Sequence, residues 1–244
     1  MKKQLVLVSA LAALFSVSSA NALIIDDFSI DQLEIRLTGK SSDSRLVSGP
    51  ETSILGGWRH TYVEMYAGSG SDQTTVRIVN DPREALDIAN GVGASSKTVL
   101  TWNANDSLLG LGNLNLWDLG PGGIFTAFPT RNDHRLDLLF EVKDYETGLT
   151  AVLLREFKAG SVGATDVDFF FSFDKFSNPL ALASADSIRM TIDSLTPGLD
   201  ANIDFVATLD VPPGVVPEPA TLGLLGLGLL GLGLSRLKAK TRKA

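Results

Sequence analysis

The chain has 244 residues, a formal charge of −7, no cysteine and two histidines. The lack of cysteine excludes a disulfide framework, thiolate-bound zinc, an iron–sulfur cluster and a cysteine nucleophile. Two histidines are too few for a multi-histidine metal site. Hydrophobic residues make up 44% of the chain, which is enough for a sizeable core and argues against wholesale disorder. This length is typical of one domain with processing segments.

The N-terminal segment has the three parts of a secretory signal peptide. Two lysines near the start precede Leu5–Val17, an apolar run without a charge. Ala20 and Ala22 then provide the small residues of an A-x-A cleavage site. We therefore predict a signal helix within residues 1–22, with cleavage after Ala22. The alternative is an N-terminal core helix.

Residues 23–216 form the predicted ectodomain, which is strongly acidic. It contains 27 acidic and 14 basic residues, so its formal charge is about −13. Such a surface repels nucleic acid and anionic membranes. It suits a soluble protein that binds cations or neutral sugars, and no nucleic-acid partner is expected.

The ectodomain is predicted to be all-β. Short runs of alternating or β-branched residues are separated by Gly and Pro turns, and no 3.6-residue period persists. This pattern is typical of a sandwich or a barrel. A single helix candidate at Pro82–Ala89 could equally be a loop that ends in a short strand. The predicted strands are Leu23–Phe28, Leu33–Leu37, Trp58–Tyr66, Thr74–Val79, Thr98–Trp102, Leu136–Val142, Leu149–Phe157, Asp166–Phe173, Ser187–Ile192 and Ala201–Thr208.

The first and last predicted strands resemble those of a known fold. Ile24–Phe28 and Ala201–Phe205 resemble the paired terminal strands of galactose-binding-like jelly rolls. The resemblance implies a jelly-roll-like antiparallel β-sandwich, in which calcium often lies beside such a pair. Asp26 or Asp27 would then come near Asp204, and calcium, which prefers several oxygen ligands, is the cofactor candidate. The alternative is that these acids only keep a sheet edge soluble.

The third predicted strand alternates throughout its length. Trp58, Tyr62 and Tyr66 share one face with a histidine and a glutamate. A flat exposed ring stacks on a pyranose, so these three residues are candidate glycan contacts. The competing interpretation, favoured by the large area that aromatic rings bury, places this stripe on the core face of the sandwich. Trp102 and Trp117 are further aromatic candidates.

The C-terminal segment has the pattern of a short transmembrane helix with a basic end. Leu222–Leu234 contains only Leu and Gly, and as a helix it spans ~20 Å. The stretch from Ala220 to Leu237 can just cross the ~30 Å hydrocarbon layer. Basic residues after the run place the tail on the cytoplasmic side by the positive-inside rule. They are Arg236, Lys238, Lys240, Arg242 and Lys243.

Residues 217–244 resemble the PEP-CTERM sorting signal of Gram-negative bacteria. The resemblance rests on Pro217, Glu218 and Pro219 together with the Gly/Leu-rich helix and the basic end. In that family an exosortase, a membrane transpeptidase, is thought to recognise the tripeptide and release or transfer the protein, and the strains usually make exopolysaccharide. This implies an exported protein with transient inner-membrane anchoring, located afterwards at the cell surface, outer membrane or extracellular matrix. The alternative is a plain C-terminal anchor.

Catalysis has little support in the sequence. Serine-hydrolase chemistry needs a base beside the nucleophile, and the chain has His60 and His134 and no G-x-S-x-G motif. We expect a non-catalytic structural or glycan-contacting protein whose partners are an exosortase-type transpeptidase and exopolysaccharide. One alternative is a polysaccharide lyase or glycosidase of the matrix, for which a carboxylate pair in a groove is expected. Another is a purely structural filler or adhesin.

Overall fold

The computed structural model of the protein describes residues 22–79, 84–105, 110–119, 122–128, 134–158 and 167–210. The predicted signal peptide, apart from Ala22, and the predicted sorting signal lie outside these residues. Within them, no helix has the length and apolar character needed to cross a membrane.

The described residues form fourteen strands joined by loops and short 3₁₀ turns. In chain order they are β1 (Ile24–Asp26), β2 (Gln32–Thr38), β3 (Ser41–Ser48), β4 (Trp58–Ala67), β5 (Gln73–Val79), β6 (Ala85–Asn90), β7 (Ser95–Trp102), β8 (Gly123–Phe128), β9 (Leu136–Lys143), β10 (Thr150–Phe157), β11 (Val167–Ser172), β12 (Ser187–Asp193), β13 (Asp200–Ile203) and β14 (Val206–Leu209). The 3₁₀ turns are Leu55–Gly57, Leu116–Leu119, Phe173–Lys175 and Pro179–Ala183.

These strands build an antiparallel, jelly-roll-like β-sandwich, as predicted. One layer is a six-stranded sheet in the order β10-β9-β12-β7-β4-β3. The facing layer contains two four-stranded sheets, β1-β14-β8-β11 and β13-β6-β5-β2. Every strand pairing among the described residues is antiparallel.

The core lies between the two layers because the four central strands of the six-stranded sheet, β9, β12, β7 and β4, bury alternate residues. In β9 the buried residues are Leu136, Leu138, Phe140 and Val142. The ring of Phe140 meets that of Phe171 from the opposite layer, with 4.7 Å between centroids in an edge-on arrangement. Edge-on packing is favourable because the positive ring edge faces the negative ring face. The opposite side of the six-stranded sheet is thereby left facing outward.

Two strands, β3 and β8, were not predicted. β3 lies at the edge of its sheet, and its exposed, polar residues carry little hydrophobic signal. β8 is short and begins in a Gly-rich segment. β6 occupies most of the segment that was considered either as a helix or as a loop ending in a short strand. The short strand is confirmed and the helix is wrong, because the segment pairs with β5 on one side and β13 on the other.

The predicted pairing of the first and last strands is present. Ile24 lies opposite Ala207 and Asp26 opposite Val206, so β1 pairs with β14. The last predicted strand is divided, however. It separates after Ile203 into β13 and β14, which belong to different sheets.

Candidate functional site

The aromatic stripe of β4 lies on the outward face of the six-stranded sheet. Arg59, Thr61, Val63 and Met65 are buried, whereas the alternate residues Trp58, His60, Tyr62, Glu64 and Tyr66 are each partly exposed. The predicted alternation is therefore confirmed, and the interpretation of the stripe as the core face is wrong. An aromatic ring on this face is available to a ligand.

Two consecutive glycines set the start of this stripe. Gly56 and Gly57 have φ angles of +70° and +72°, a conformation that residues with a Cβ atom rarely adopt. A Cβ on Gly56 would also lie 2.8 Å from Leu111 Cδ2. This turn directly precedes β4, and Trp58 is the first residue of that strand.

A buried arginine explains which face of β4 turns inward. Arg59 Nη1 donates to both carboxylate oxygens of Asp26, at 2.8 and 2.9 Å, and Arg59 Nη2 donates to the Ile30 carbonyl at 2.8 Å. Both charged side chains have no exposed surface. Burying two charges is tolerated when they are paired and hydrogen-bonded. This network joins β1 to β4 across the sandwich.

Asp26 is fully engaged by this network. Trp102 Nε1 donates to Asp26 Oδ2 at 2.8 Å, and the Phe28 amide donates to Asp26 Oδ1 at 3.0 Å. Burial raises the pKa of the Asp26 carboxyl, and the Arg59 guanidinium opposes that shift. The Trp102 side chain has no exposed surface either, so it does not form an exposed sugar-binding platform.

Asp27 and Asp204 line one shallow depression of about 510 Å³, together with Ile24, Glu84 and Phe205. Asp27 Oδ1 accepts a hydrogen bond from the Ser29 amide at 2.9 Å. Among the described residues, no group of three or more acidic or histidine side chains is arranged to hold a metal ion. A calcium site at Asp27 and Asp204 stays a prediction, and Asp26 is committed to Arg59 instead.

Tyr66 has a structural role at one end of the stripe. Its hydroxyl oxygen lies 2.7 Å from Asp193 Oδ1 and 2.6 Å from the Ser194 carbonyl oxygen, so its single proton is shared between two acceptors. Burial, followed by the Asp193 carboxylate, raises the pKa of Tyr66. The rings left for a ligand on this stripe are those of Trp58 and Tyr62.

Trp117 is a separate exposed aromatic residue. Its side chain remains 36% exposed, its Nε1 donates to the Pro179 carbonyl at 3.1 Å, and its ring packs edge-on against Phe173. It lies in a 3₁₀ turn, outside the six-stranded sheet, and is not part of the β4 stripe.

Strand register places an apolar row across the outward face of the six-stranded sheet. Each member lies directly opposite the next on the neighbouring strand, and none is fully buried. We call this set the apolar row. Its members are Tyr62 on β4, Val99 on β7, Thr191 on β12, Leu139 on β9 and Leu154 on β10.

Charged residues flank the apolar row on both sides and are mostly paired with one another. On one side, Lys97 Nζ lies 3.1 Å from Glu64, and Arg135 Nη2 lies 3.0 Å from Glu156. On the other side, Arg189 Nη1 lies 3.2 Å from Glu141. Counting Arg135, this face has five acidic and four basic residues. It is therefore almost neutral, whereas residues 23–216 as a whole are strongly acidic.

The C-terminal resemblance is confirmed by comparison with protein families. Residues 215–237 match the PEP-CTERM protein-sorting motif. The motif implies an exported protein with a C-terminal membrane anchor before processing. No curated protein matches the chain.

Several solved structures are similar to this chain at low sequence identity. The family 11 carbohydrate-binding module of cellulosomal cellulase Lic26A-Cel5E of Clostridium thermocellum is 11% identical, with a TM-score of 0.40, over 81% of this chain and 99% of the module. The Clostridium thermocellum family 11 module in complex with a β-1,3-1,4-mixed-linked tetrasaccharide is also 11% identical, with a TM-score of 0.41 and coverages of 80% and 99%. A family 29 carbohydrate-binding module is 12% identical, with a TM-score of 0.34 and coverages of 75% and 98%.

Proposed function

We propose that this chain is an exported protein of the cell surface or extracellular matrix that binds glycan without catalysing a reaction. An exosortase-type transpeptidase processes its C-terminal signal. The ectodomain then serves as a structural, glycan-contacting module of the matrix.

The outward position of Trp58 and Tyr62 carries the proposal. A pyranose ring presents an apolar face of C–H groups and a rim of hydroxyls, so its binding site combines an aromatic surface with hydrogen-bonding groups. His60 and Glu64 lie on the same face of β4, beside the two rings. The stripe therefore supplies both kinds of contact on a rigid strand rather than on a loop.

Charge supports a neutral or weakly charged glycan over nucleic acid. The ectodomain carries about thirteen excess negative charges, and a phosphate backbone would be repelled by them. Neutral sugar hydroxyls bring no such penalty. The same excess charge keeps an exported protein soluble.

Retention of the exported full chain on immobilised neutral polysaccharides tests this function. The double variant Trp58→Ala/Tyr62→Ala is expected to lose retention, because both partly exposed rings left for a ligand on the stripe are removed. Tyr145→Ala is the matched control, since Tyr145 is an exposed tyrosine on the turn between β9 and β10. A wild-type chain that binds no polysaccharide, or a double variant that binds as the wild type does, would contradict the proposal.

The same samples address the catalytic alternative. Release of new reducing ends or of unsaturated sugars from the polysaccharides would indicate a glycosidase or a lyase. We expect neither product, and retention without product formation is the signature of a binding module.

A further inference from the structure

We infer that the glycan is a neutral polysaccharide chain that runs across the strands of the six-stranded sheet, seated on the apolar row. This inference rests on the proposed function and adds two features to it: the direction in which the polysaccharide crosses the sheet, and the neutral charge of the polysaccharide. The sequence pattern alone placed candidate glycan contacts along β4. The register of the sheet indicates a path at right angles to that strand.

The apolar row extends across five neighbouring strands, and its polar side-chain groups are the hydroxyls of Tyr62 and Thr191. From Tyr62 to Leu154 the row crosses four strand spacings, which amounts to ~19 Å at ~4.8 Å per spacing. Leu154, at the far end, is 51% exposed. Along β4, by contrast, His60 separates Trp58 from Tyr62, and the Tyr66 hydroxyl is bonded to Asp193. A surface of this length fits several linked sugars rather than one.

The ion-paired residues on both sides of the apolar row favour a neutral polysaccharide over a charged one. Glu64 is paired with Lys97 on one side, and Glu141 is paired with both Arg189 and Lys143 on the other. Paired side chains still offer hydrogen-bond donors and acceptors to hydroxyl groups, but they leave no strong local field to attract a charged polymer. The arrangement is an apolar strip between two hydrogen-bonding borders, which matches a chain of pyranoses with apolar faces and hydroxyl rims.

The same borders argue against a second copy of the chain as the occupant. Face-to-face packing of two sheets requires apolar side chains that interdigitate over the whole interface. Here the apolar surface from Val99 to Leu139 is one residue wide, and a sheet pressed onto it would bury the ion pairs at Glu64 and Glu141. A narrow polymer can occupy the row and leave those pairs hydrated.

The test compares two double variants and a matched leucine control in the exported full chain. Binding is measured by isothermal titration calorimetry with three neutral polymers, mixed-linkage β-glucan, mannan and xylan, and with alginate as the anionic polymer. Leu139→Ala/Leu154→Ala removes the half of the row distant from β4, and we expect affinity for a neutral polymer to fall roughly tenfold. Leu33→Ala is the control, because Leu33 is an exposed leucine on β2, in the facing layer. It should bind as the wild type does.

The outcomes separate this inference from the proposed function. If Trp58→Ala/Tyr62→Ala loses binding while Leu139→Ala/Leu154→Ala retains it, the glycan function stands and the cross-strand path is wrong. Preference for alginate over all three neutral polymers would overturn the charge class. A dimer in solution that dissociates on Leu139→Ala/Leu154→Ala would assign the row to a second copy and overturn the inference. Weaker binding of neutral polymers in both double variants, with Leu33→Ala unaffected, supports it.

Discussion

Arg59 and Asp26 form an ion pair in the core, with Nη1 2.8 Å from Oδ1 and with both side chains fully buried. The pair joins β4 to β1, and Trp102 on β7 adds a third element through its bond to Asp26. Because Arg59 points inward, its neighbours Trp58 and His60 point outward. The ion pair therefore stabilises the layer packing and also determines which face of β4 is available to a ligand.

Removing one partner of this pair should destabilise the protein strongly. We expect Arg59→Met to lower the free energy of unfolding by about 3–5 kcal/mol, because it leaves the Asp26 carboxylate buried without its counter-charge. Urea unfolding of the full chain followed by tryptophan fluorescence measures the change. The double variant Asp26→Leu/Arg59→Met should lose less than the two single variants together. A loss below about 1 kcal/mol for Arg59→Met would show that the pair contributes little.

Tyr66 should make stability fall at alkaline pH. Its pKa is raised in the folded protein by burial and by Asp193, so the folded state keeps the proton after the unfolded chain has lost it at about pH 10. The unfolded state then binds fewer protons than the native state, and the free energy of unfolding falls as the pH rises above that value. Tyr66→Phe should remove this part of the pH dependence. If the free energy of unfolding falls equally steeply with rising pH in the wild type and in Tyr66→Phe, the prediction is wrong.

Calcium binding at Asp27 and Asp204 predicts a calcium-dependent melting temperature. A ligand present at ~100 times its dissociation constant adds ~2.7 kcal/mol to the free energy of unfolding. The full chain should therefore melt several degrees higher in millimolar calcium than in chelator, and Asp204→Asn should abolish the difference. Identical melting curves would leave both residues as ordinary acids lining a depression.

The sorting motif predicts a processing defect when its charge is removed. Glu218→Ala leaves the hydrophobicity of Leu222–Leu234 unchanged and removes the charge between the two prolines. If an exosortase reads the tripeptide, the variant should accumulate at the inner membrane as the longer, uncut form. If the tail is only an anchor, wild type and variant should fractionate alike, and mass spectrometry should find an intact C-terminus in both.

Much of the strand content was predictable because alternation is a local property. The spacing of Trp58, Tyr62 and Tyr66 alone shows that the three residues share a face. It does not show which face, because aromatic residues are common both in cores and at binding sites. The deciding residue is Arg59, and a buried arginine is rare without a buried partner. That partner, Asp26, is 33 positions away, and no local pattern connects the two.

The sequence by itself determined the C-terminal sorting motif, the all-β class and the excess of acidic residues, since composition, hydrophobic runs and short motifs depend only on neighbouring residues. The tertiary structure decided which side of β4 faces outward, that Asp26 belongs to an ion pair, and that Tyr62 and Leu154 lie in one row. Those relationships depend on strand register, where a shift by one residue moves every side chain to the opposite face. Register is set by packing across the whole sandwich, so residues far apart in the chain come to share one surface.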